Sequence, residues 1–270
     1  MARIFNRKYE LSFGPRDGDL TTIRELRVKF NIEKSNKKES NTATIEVYNL
    51  SEKSRNVFQQ KDVVVQLQAG YEGRIQGCFI GDVTKVEHRR QGADRVTLID
   101  CGDGQKAINE ATISKSYAKG TSVKNVLMDL IGSFANTTFS QKLDAVVSPL
   151  AQLTSGGSFE GASENILTEL LSSFGLSFSI QDGEITVEGN ALLNDTDIKI
   201  VSASTGLIQS PSKTDTGVAF IMLLEARIRP GSILQLQSES VSGLYKATKV
   251  VHEGDNFDRP WYTKVEAEPL

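Results

Sequence analysis

The sequence predicts a mainly β protein in which two antiparallel β-barrel modules flank a small α+β insert. Apolar and polar residues alternate with a period of two through the first part of the chain and again near its end, as in half-buried strands. Between these parts, apolar residues recur at spacings of three and four, which indicates amphipathic helices. A chain of 270 residues is also longer than a domain with a single hydrophobic core usually is. We therefore predict modules at 1–106, 107–192 and 193–270.

The first module is predicted to be a meander of short strands. Alternation begins at 26–32 and repeats at 43–48, after which Ser51 can cap a short helix that has Glu52 at its positive end. This helix is expected to cover one end of a barrel. Gly81-Asp82 indicates a bulge or sharp bend. The remaining strands are predicted at 63–67, 77–87 and 96–100.

The insert is predicted to contain two helices and a hairpin. Ser122 precedes the first apolar stripe and Ser163 the second, and Gly175 is placed to end the second helix. Asp182-Gly183 predicts the hairpin turn, and the Ser-, Gly- and Thr-rich stretch 151–161 predicts a flexible surface loop. The stripes are formed by Val123, Val126, Leu127, Leu130, Ile131 and Phe134, and by Ile166, Leu167, Leu170, Leu171 and Phe174.

Strand patterns return in the last module and suggest a second copy of the first architecture. No repeat is apparent at the level of individual residues. The strands are predicted at 198–201, 218–224, 233–236, 245–251 and 262–267.

Composition excludes several classes of protein. With 39% hydrophobic and 24% charged residues, the chain fits a soluble globular protein, and it lacks an apolar run of about 20 residues that could span a membrane. Residues 1–7 do not resemble a secretory signal, so we expect synthesis in the cytosol. In that reducing compartment Cys78 and Cys101 are interpreted as small buried hydrophobic residues rather than as a disulfide or metal ligands.

The charge distribution does not predict specific binding of nucleic acid. Residues 1–106 carry 19 Lys and Arg against 15 Asp and Glu, which is +4, and the rest carries 12 against 19, which is −7. The basic cluster of Lys34, Lys37 and Lys38 and the pair Arg89-Arg90 lack interleaved aromatic residues for base stacking. These charges are interpreted as solvated.

No pattern predicts chemistry, so we expect no enzyme and no catalytic, cofactor-binding or metal-binding residue. His88 and His252 have no Cys or His at ligand spacing, and the serines form no Gly-x-Ser-x-Gly motif. The glycines form no phosphate loop. The acids of the insert occupy ordinary positions rather than those of a glycosidase pair; they are Glu110, Glu160, Glu164 and Glu169.

Segments of both β modules resemble the baseplate hub family of phage tails and related injection machines. In the first module the resemblance rests on 40–51 with Arg55, on Ala69-Gly70-Tyr71, on 79–83 and on 100–104. In the last module it rests on 205–211, 217–218, 223–224, 229–231, 243–247, 252–255 and 261–263. Together the two β modules make up about two-thirds of the chain.

The resemblance implies a structural subunit of the virion that forms a homotrimer. Two tail-tube-like barrels per chain would make three chains imitate the six-fold ring of the tail tube. The implied partners are the tail tube, the central spike and the baseplate wedge proteins, with DNA passing through the channel without specific binding. Many relatives are longer, so a fused lytic domain is not implied.

Two other classes remain open. A host- or carbohydrate-binding tail module should expose clustered aromatic residues, but only 7% of the chain is aromatic and Trp261 is its one tryptophan, in a strand context typical of a core. A small cell-wall hydrolase would have to be built on the insert.

Overall fold

The computed structural model describes residues 6–36, 41–139, 152–189 and 198–270. The fold is mainly β, as predicted, and separates into two compact units. Unit 1 comprises Met1–Asp103 and Thr196–Leu270, and unit 2 comprises Gly104–Asp195. The division at 1–106, 107–192 and 193–270 stays a prediction.

Unit 1 contains one large sheet of 13 strands that is not closed into a barrel. The path of hydrogen-bonded neighbours is β14-β15-β18-β17-β3-β4-β7-β6-β5-β1-β2, with β16 pairing with both β17 and β13. Its strands are β1 (Arg7–Pro15), β2 (Thr21–Ile23), β3 (Val28–Ser35), β4 (Thr42–Tyr48), β5 (Val63–Tyr71), β6 (Arg74–Gln91), β7 (Asp94–Gly102), β13 (Lys199–Ser202), β14 (Ser212–Lys213), β15 (Val218–Leu223), β16 (Ile233–Gln237), β17 (Ser242–Asp255) and β18 (Trp261–Pro269).

The expectation of two separate barrels is not met, because the two β parts of the chain join edge to edge. Strand β17 pairs with β18 along its length, and its opposite edge is divided between β16 and β3. Strand β6 has 18 residues and one partner on each edge, pairing with β5 through its first half and with β7 through its second half. These two long strands let one sheet run through both parts of the sequence.

The predicted strands of unit 1 are confirmed, with local differences. Helix α1 (Glu52–Asn56) begins after Ser51, whose side chain accepts a hydrogen bond from the Ser54 N–H. The bulge expected at Gly81-Asp82 lies at Thr84, where the pairing of β6 with β7 shifts register. Strand β1 was not predicted, although its buried residues alternate with more exposed ones at Tyr9 and Leu11.

Two apolar clusters form the core of unit 1. The larger one contains residues of β1 and β3 to β7 together with Leu224, Ala226 and Trp261 from the end of the chain. Cys78 and Cys101 are buried there as free thiols, and Trp261 is a core residue, as predicted. The second cluster belongs to β13 and β15 to β18 with their loops.

Unit 2 contains the predicted helices and hairpin. Its elements are α2 (Gln105–Glu110), β8 (Thr112–Tyr117), α3 (Val123–Gly132), β9 (Thr138–Phe139), β10 (Gly157–Ala162), α4 (Ser163–Ser172), β11 (Leu176–Gln181) and β12 (Glu184–Gly189). The stripes of α3 and α4 meet in one core, where Leu127, Leu130 and Leu167 are fully buried against the hairpin residue Ile185. None of the described helices is long and apolar enough to cross a membrane.

Two local predictions for unit 2 are wrong. The expected loop at 151–161 includes strand β10, which pairs with β8; residue 151 lies outside the described residues. Ser163 is the first residue of α4 rather than its cap, and its hydroxyl lies 2.7 Å from the hydroxyl of Ser133 on the preceding helix. Strand β10, Gly-Ser-Phe-Glu-Gly-Ala, has one large apolar residue, Phe159, and so gives little apolar alternation to detect.

Candidate assembly interface

The junction between β17 and β3 is where the two ends of the chain meet. Lys249 to Asp255 of β17 pair antiparallel with Lys29 to Ser35 of β3, so seven consecutive Cα pairs link residues more than 200 positions apart. Across this ladder Lys249 Nζ lies 2.5 Å from Glu33 Oε1. The main-chain hydrogen-bonding groups at the edge of β3, in the first half of the chain, are thereby paired with those of β17, in the second half.

Asp255 organises the polar side of the junction. Its two carboxylate oxygens accept hydrogen bonds from Arg27, from Nη2 at 2.7 Å and from Nε at 3.3 Å. One of them also accepts from the backbone N–H groups of Phe257 at 3.0 Å and Asp258 at 3.3 Å. Burial favours the neutral carboxyl group, but the Arg27 hydrogen bond and these N–H groups outweigh it and lower the pKa of Asp255.

An aromatic contact forms the apolar side. The rings of Phe30 and Trp261 meet edge to face with centroids 5.4 Å apart. Gly254 lies over Phe30, and a Cβ atom at this position would come within 2.2 Å of the ring. Asn256 closes the turn by accepting a hydrogen bond from Val28 N–H at 2.7 Å and donating one to the Leu26 carbonyl at 3.0 Å. The close approach of the Phe30 ring therefore requires glycine at position 254.

His252 lies in the middle of the paired segment and is fully buried. Its Nδ1 is 3.0 Å from Oγ1 of Thr263, the residue opposite it on β18. Burial and, after it, the charge of Lys34 lower the pKa of His252 to about 3. The neutral ring is part of the packing of the junction.

The other histidine occupies an equivalent place in the first half of the chain. His88 of β6 pairs with Thr97 of β7, and its Nδ1 lies 3.1 Å from the threonine hydroxyl. Its ring is exposed to solvent. The same pair of residue types thus makes the same cross-strand contact twice.

Local sequence repeats around the two histidines. Residues 83–88 read Val-Thr-Lys-Val-Glu-His, and residues 247–252 read Ala-Thr-Lys-Val-Val-His. The neighbouring strands agree as well, because Val-Val-Gln-Leu-Gln at 64–68 in β5 corresponds to Ile-Leu-Gln-Leu-Gln at 233–237 in β16. The two histidine segments are identical at four of six positions, and the segments in β5 and β16 are identical at three of five.

The geometry repeats at the same positions. Both long strands shift register at the threonine of the motif, Thr84 or Thr248. Thr84 Oγ1 donates to the carbonyl of Asp100 at 3.0 Å, and Thr248 Oγ1 donates to the carbonyl of Glu266 at 3.2 Å. A bulge and a side-chain hydrogen bond that coincide with the sequence match are unexpected for chance similarity.

Strand order completes the correspondence. The antiparallel set β4-β7-β6-β5 has the order of β15-β18-β17-β16. We call these sets copy A and copy B. The sequence prediction of two related β modules lacked a residue-level repeat, and the six-residue motif that ends in histidine was the signal that could have supplied it.

The residues considered for chemistry do not form a site. Within the described ranges, no group of three or more His, Cys, Asp or Glu side chains could hold a metal ion. Burial raises the pKa of Cys101. Glu110, Glu160 and Glu169 are exposed and Glu164 is half-buried, and the structure brings no pair of them into a described contact. Of the basic residues, Lys34 is buried rather than solvated, and Lys37 and Lys38 lie outside the described residues.

The interpretation of Lys34 as a solvated charge is therefore wrong. Lys34 is a β3 residue on the same buried face of the strand as Phe30 and Ile32, and its partner across the junction is the buried Val250 of β17. Arg89 and Arg90 are exposed, as expected, and Arg89 forms an ion pair with Glu46 at 3.0 Å.

Solved structures with this fold come from phage tails and a related secretion machine. The 43 kDa tail protein of prophage MuSo2 from Shewanella oneidensis has a TM-score of 0.65 at 8% identity, covering 98% of both chains. A tail protein from Neisseria meningitidis has a TM-score of 0.64 at 11% identity, covering 97% of this chain and 96% of that one. An Escherichia coli type VI secretion component is described as similar to T4 tail proteins gp27 and gp5. It has a TM-score of 0.59 at 10% identity, and the match covers 96% of this chain and 76% of that one.

At these identities the structures establish a shared fold. No curated protein sequence matches the chain. The family model described as "Baseplate hub gp41" matches residues 10–267, which include copy A, all of copy B except the last two residues of β18, and the whole of the β17–β3 junction. This chain belongs to the baseplate hub gp41 family of structural phage tail proteins.

Proposed function

We propose that this chain is a hub subunit that assembles as a homotrimeric ring with pseudo-six-fold symmetry. The observation that carries the proposal is the duplication of one β unit within the chain, seen in strand order, bulge position and the His–Thr contact. Three chains with two copies each provide six related units. That number fits the six-fold ring of a tail tube, which the family resemblance implies as a neighbour.

In this proposal the ring joins the tail tube to the central spike and contacts baseplate wedge proteins. Family membership supports a place in the tail of the virion, after assembly in the host cytosol. The solved type VI secretion component, whose description compares it with T4 tail proteins gp27 and gp5, supports a place among tail proteins, and the position beside the spike rests on the family resemblance. Each partner is a large protein, so the chain acts through surfaces rather than through a cleft.

The ring would line the channel through which DNA leaves the phage. A channel wall with many clustered Lys and Arg would retain DNA, because each phosphate contact adds salt-dependent affinity. Residues after Lys106 carry 12 basic against 19 acidic side chains, a balance of −7, which favours an acidic or neutral wall. We expect the basic residues of the first module, residues 1–106, to face outward or toward other baseplate proteins.

We assign the chain no catalytic activity, cofactor or metal. The insert core is built from apolar helix stripes and a hairpin, which is how a small structural domain is stabilised. Purified protein should not clear a peptidoglycan zymogram. Lysis that disappears after Glu160→Gln or Glu164→Gln would replace this part of the proposal by the hydrolase alternative.

The test of the hub assignment is a reconstruction of the assembled tail with this chain located in it. Three copies should surround the axis, with copies A and B alternating around the channel. A peripheral position, or contact of only one copy with the axis, would contradict the proposal. Host- or carbohydrate-binding modules would be found at such a periphery.

A further inference from the structure

The junction inside the chain offers a template for contacts between chains. In copy B, β17 has β18 on one edge, and beyond Thr248 its other edge is occupied by β3. Strand β3 leads into copy A, because it precedes β4 in the sequence and pairs with it antiparallel. The junction therefore joins the leading strand of one copy to the long strand of the other copy.

Within the part of the chain that the structure describes, the equivalent edge in copy A has no strand on it. Beyond the Thr84 bulge, Lys85 to Gln91 of β6 pair with β7 on one edge, whereas β5 ends its pairing at Asp82 on the other. Among the described residues no strand pairs with the free edge of 85–91. The difference in cover is visible at the histidines, because His252 is fully buried and His88 is exposed.

Copy B is also preceded by a leading strand, and in the described part of the chain one edge of that strand has no partner. The segment 207–213, which ends in β14, runs antiparallel to β15, with Leu207 opposite Met222 and Lys213 opposite Val218. It stands to β15 as β3 stands to β4. Strand β14 is the last strand of the sheet, so its outer edge carries no partner in the described part of the chain.

We propose that β14 of one chain pairs antiparallel with the free edge of β6 of a second copy of this chain, repeating the β17–β3 junction between subunits. This inference rests on the proposed trimer and specifies its contact. The contact is head-to-tail, and such a contact closes into a ring when its rotation divides a full turn. If the contacts within and between chains are alike, six copies in three chains close the ring.

The register follows from the pairs already present. In copy A, Ile32 pairs with Ala43, which pairs with Cys101, the residue after Asp100 at the bulge. In copy B, Lys213 pairs with Val218, which pairs with Ala267, the residue after Glu266 at the bulge. Ile32 and Lys213 are therefore equivalent positions of the two leading strands. In the junction His252 pairs with Ile32 and Glu253 with Asn31. The equivalents between chains are His88 with Lys213 and Arg89 with Ser212.

The side chains of the free edge fit this role. Lys85, Glu87 and Arg89 have side chains about half or more exposed, at 63, 49 and 49%. Alternating charge on an edge strand opposes unspecific pairing while the main-chain groups stay available to a strand in the correct register. The edge is thus kept soluble before assembly.

The experiment is cross-linking between Arg89→Cys and Ser212→Cys with a short bis-maleimide. The native thiols Cys78 and Cys101 are buried and should not react. Two proteins that each carry one substitution are mixed, and dimers should form in the mixture and not in either protein alone. The double variant should give covalent trimers and no longer chains. Arg89→Cys mixed with Glu239→Cys, which is exposed on the β16–β17 turn, is the control and should not cross-link.

The reaction is performed on purified protein across a concentration series and on tails assembled with both variants. Particles with three copies of the chain but no 89–212 cross-link would overturn the strand pairing and leave the trimeric hub standing. Equal cross-linking of the Glu239→Cys control would overturn it as well. Particles without three axial copies would contradict the proposed function itself.

Discussion

His88 and His252 make the same hydrogen bond to a threonine in two related pieces of sheet, yet one ring is exposed and the other fully buried. The local strand pair is the same in both cases, so it does not determine burial. The second ring lies on the core-facing side of β17 beside β3, where Lys34 of β3 and the loop at Ile228 and Arg229 are close to it. One motif therefore gives a solvent-exposed edge in copy A and a core position in copy B, depending on which strand is its neighbour.

The largest expected difference between the copies concerns Asp255 and its equivalent Gln91. Asp255→Ala removes the acceptor for Arg27 and for two backbone N–H groups at the junction, and we expect a loss of about 3 kcal/mol in the free energy of unfolding. Gln91→Ala, on the exposed free edge, should change it by less than about 0.5 kcal/mol. Urea unfolding followed by tryptophan fluorescence measures both, since Trp261 lies at the junction. Equal losses would mean that the two edges are not in different environments.

A second difference should appear on acidification. The unfolded His252 takes up a proton as the pH falls below 6.5, whereas the folded ring, with a pKa of about 3, does not. Because the unfolded state then binds more protons, stability is full above pH 6.5 and is lost as the pH falls toward 3, by about 1.4 kcal/mol per pH unit. At pH 5 the contribution is on the order of 2 kcal/mol.

His252→Gln should remove this component, so the gap in unfolding free energy between wild type and variant should narrow from pH 7 to pH 5. His88→Gln is the matched control. Burial and the nearby Arg55 also lower the pKa of His88, but its ring is exposed and the effect on acid sensitivity should be smaller. Chemical unfolding at the two pH values gives the comparison, and parallel curves for His252→Gln and wild type would contradict it.

The elements of the fold could be predicted from the sequence, but the way they join could not. Alternation located most strands of both copies, and the stripes around Leu127 and Leu167 located the insert helices, because burial of one face leaves a period in the sequence. A period says which face is buried and not which strand lies alongside. The pairing of β17 with β3, across more than 200 residues, therefore left no periodic pattern, and two separate barrels were expected in place of one sheet.

The repeat itself was readable but short. Its two segments in each copy are separated by 14 residues in copy A (69–82) and by nine in copy B (238–246), so an alignment without gaps cannot match both. The junction residues Arg27 and Asn256 lie outside the repeat and have no motif of their own. Their role depends on the turn before β18 reaching the start of β3, which only the folded chain shows.

The smallest effect should be the same in both copies, which makes it a test of the correspondence rather than of the difference. Thr84→Val and Thr248→Val each remove one hydroxyl hydrogen bond, to the carbonyl of Asp100 or of Glu266, while keeping a β-branched side chain at the bulge. Each should lower the free energy of unfolding by about 1 kcal/mol, the usual net contribution of such a bond. Because the two sites are far apart in sequence and make separate contacts, the double variant should lose about the sum. A loss at Thr248 with none at Thr84 would show that the bulge contributes only where β3 covers the strand, and the two copies would then share a shape without sharing its energetics.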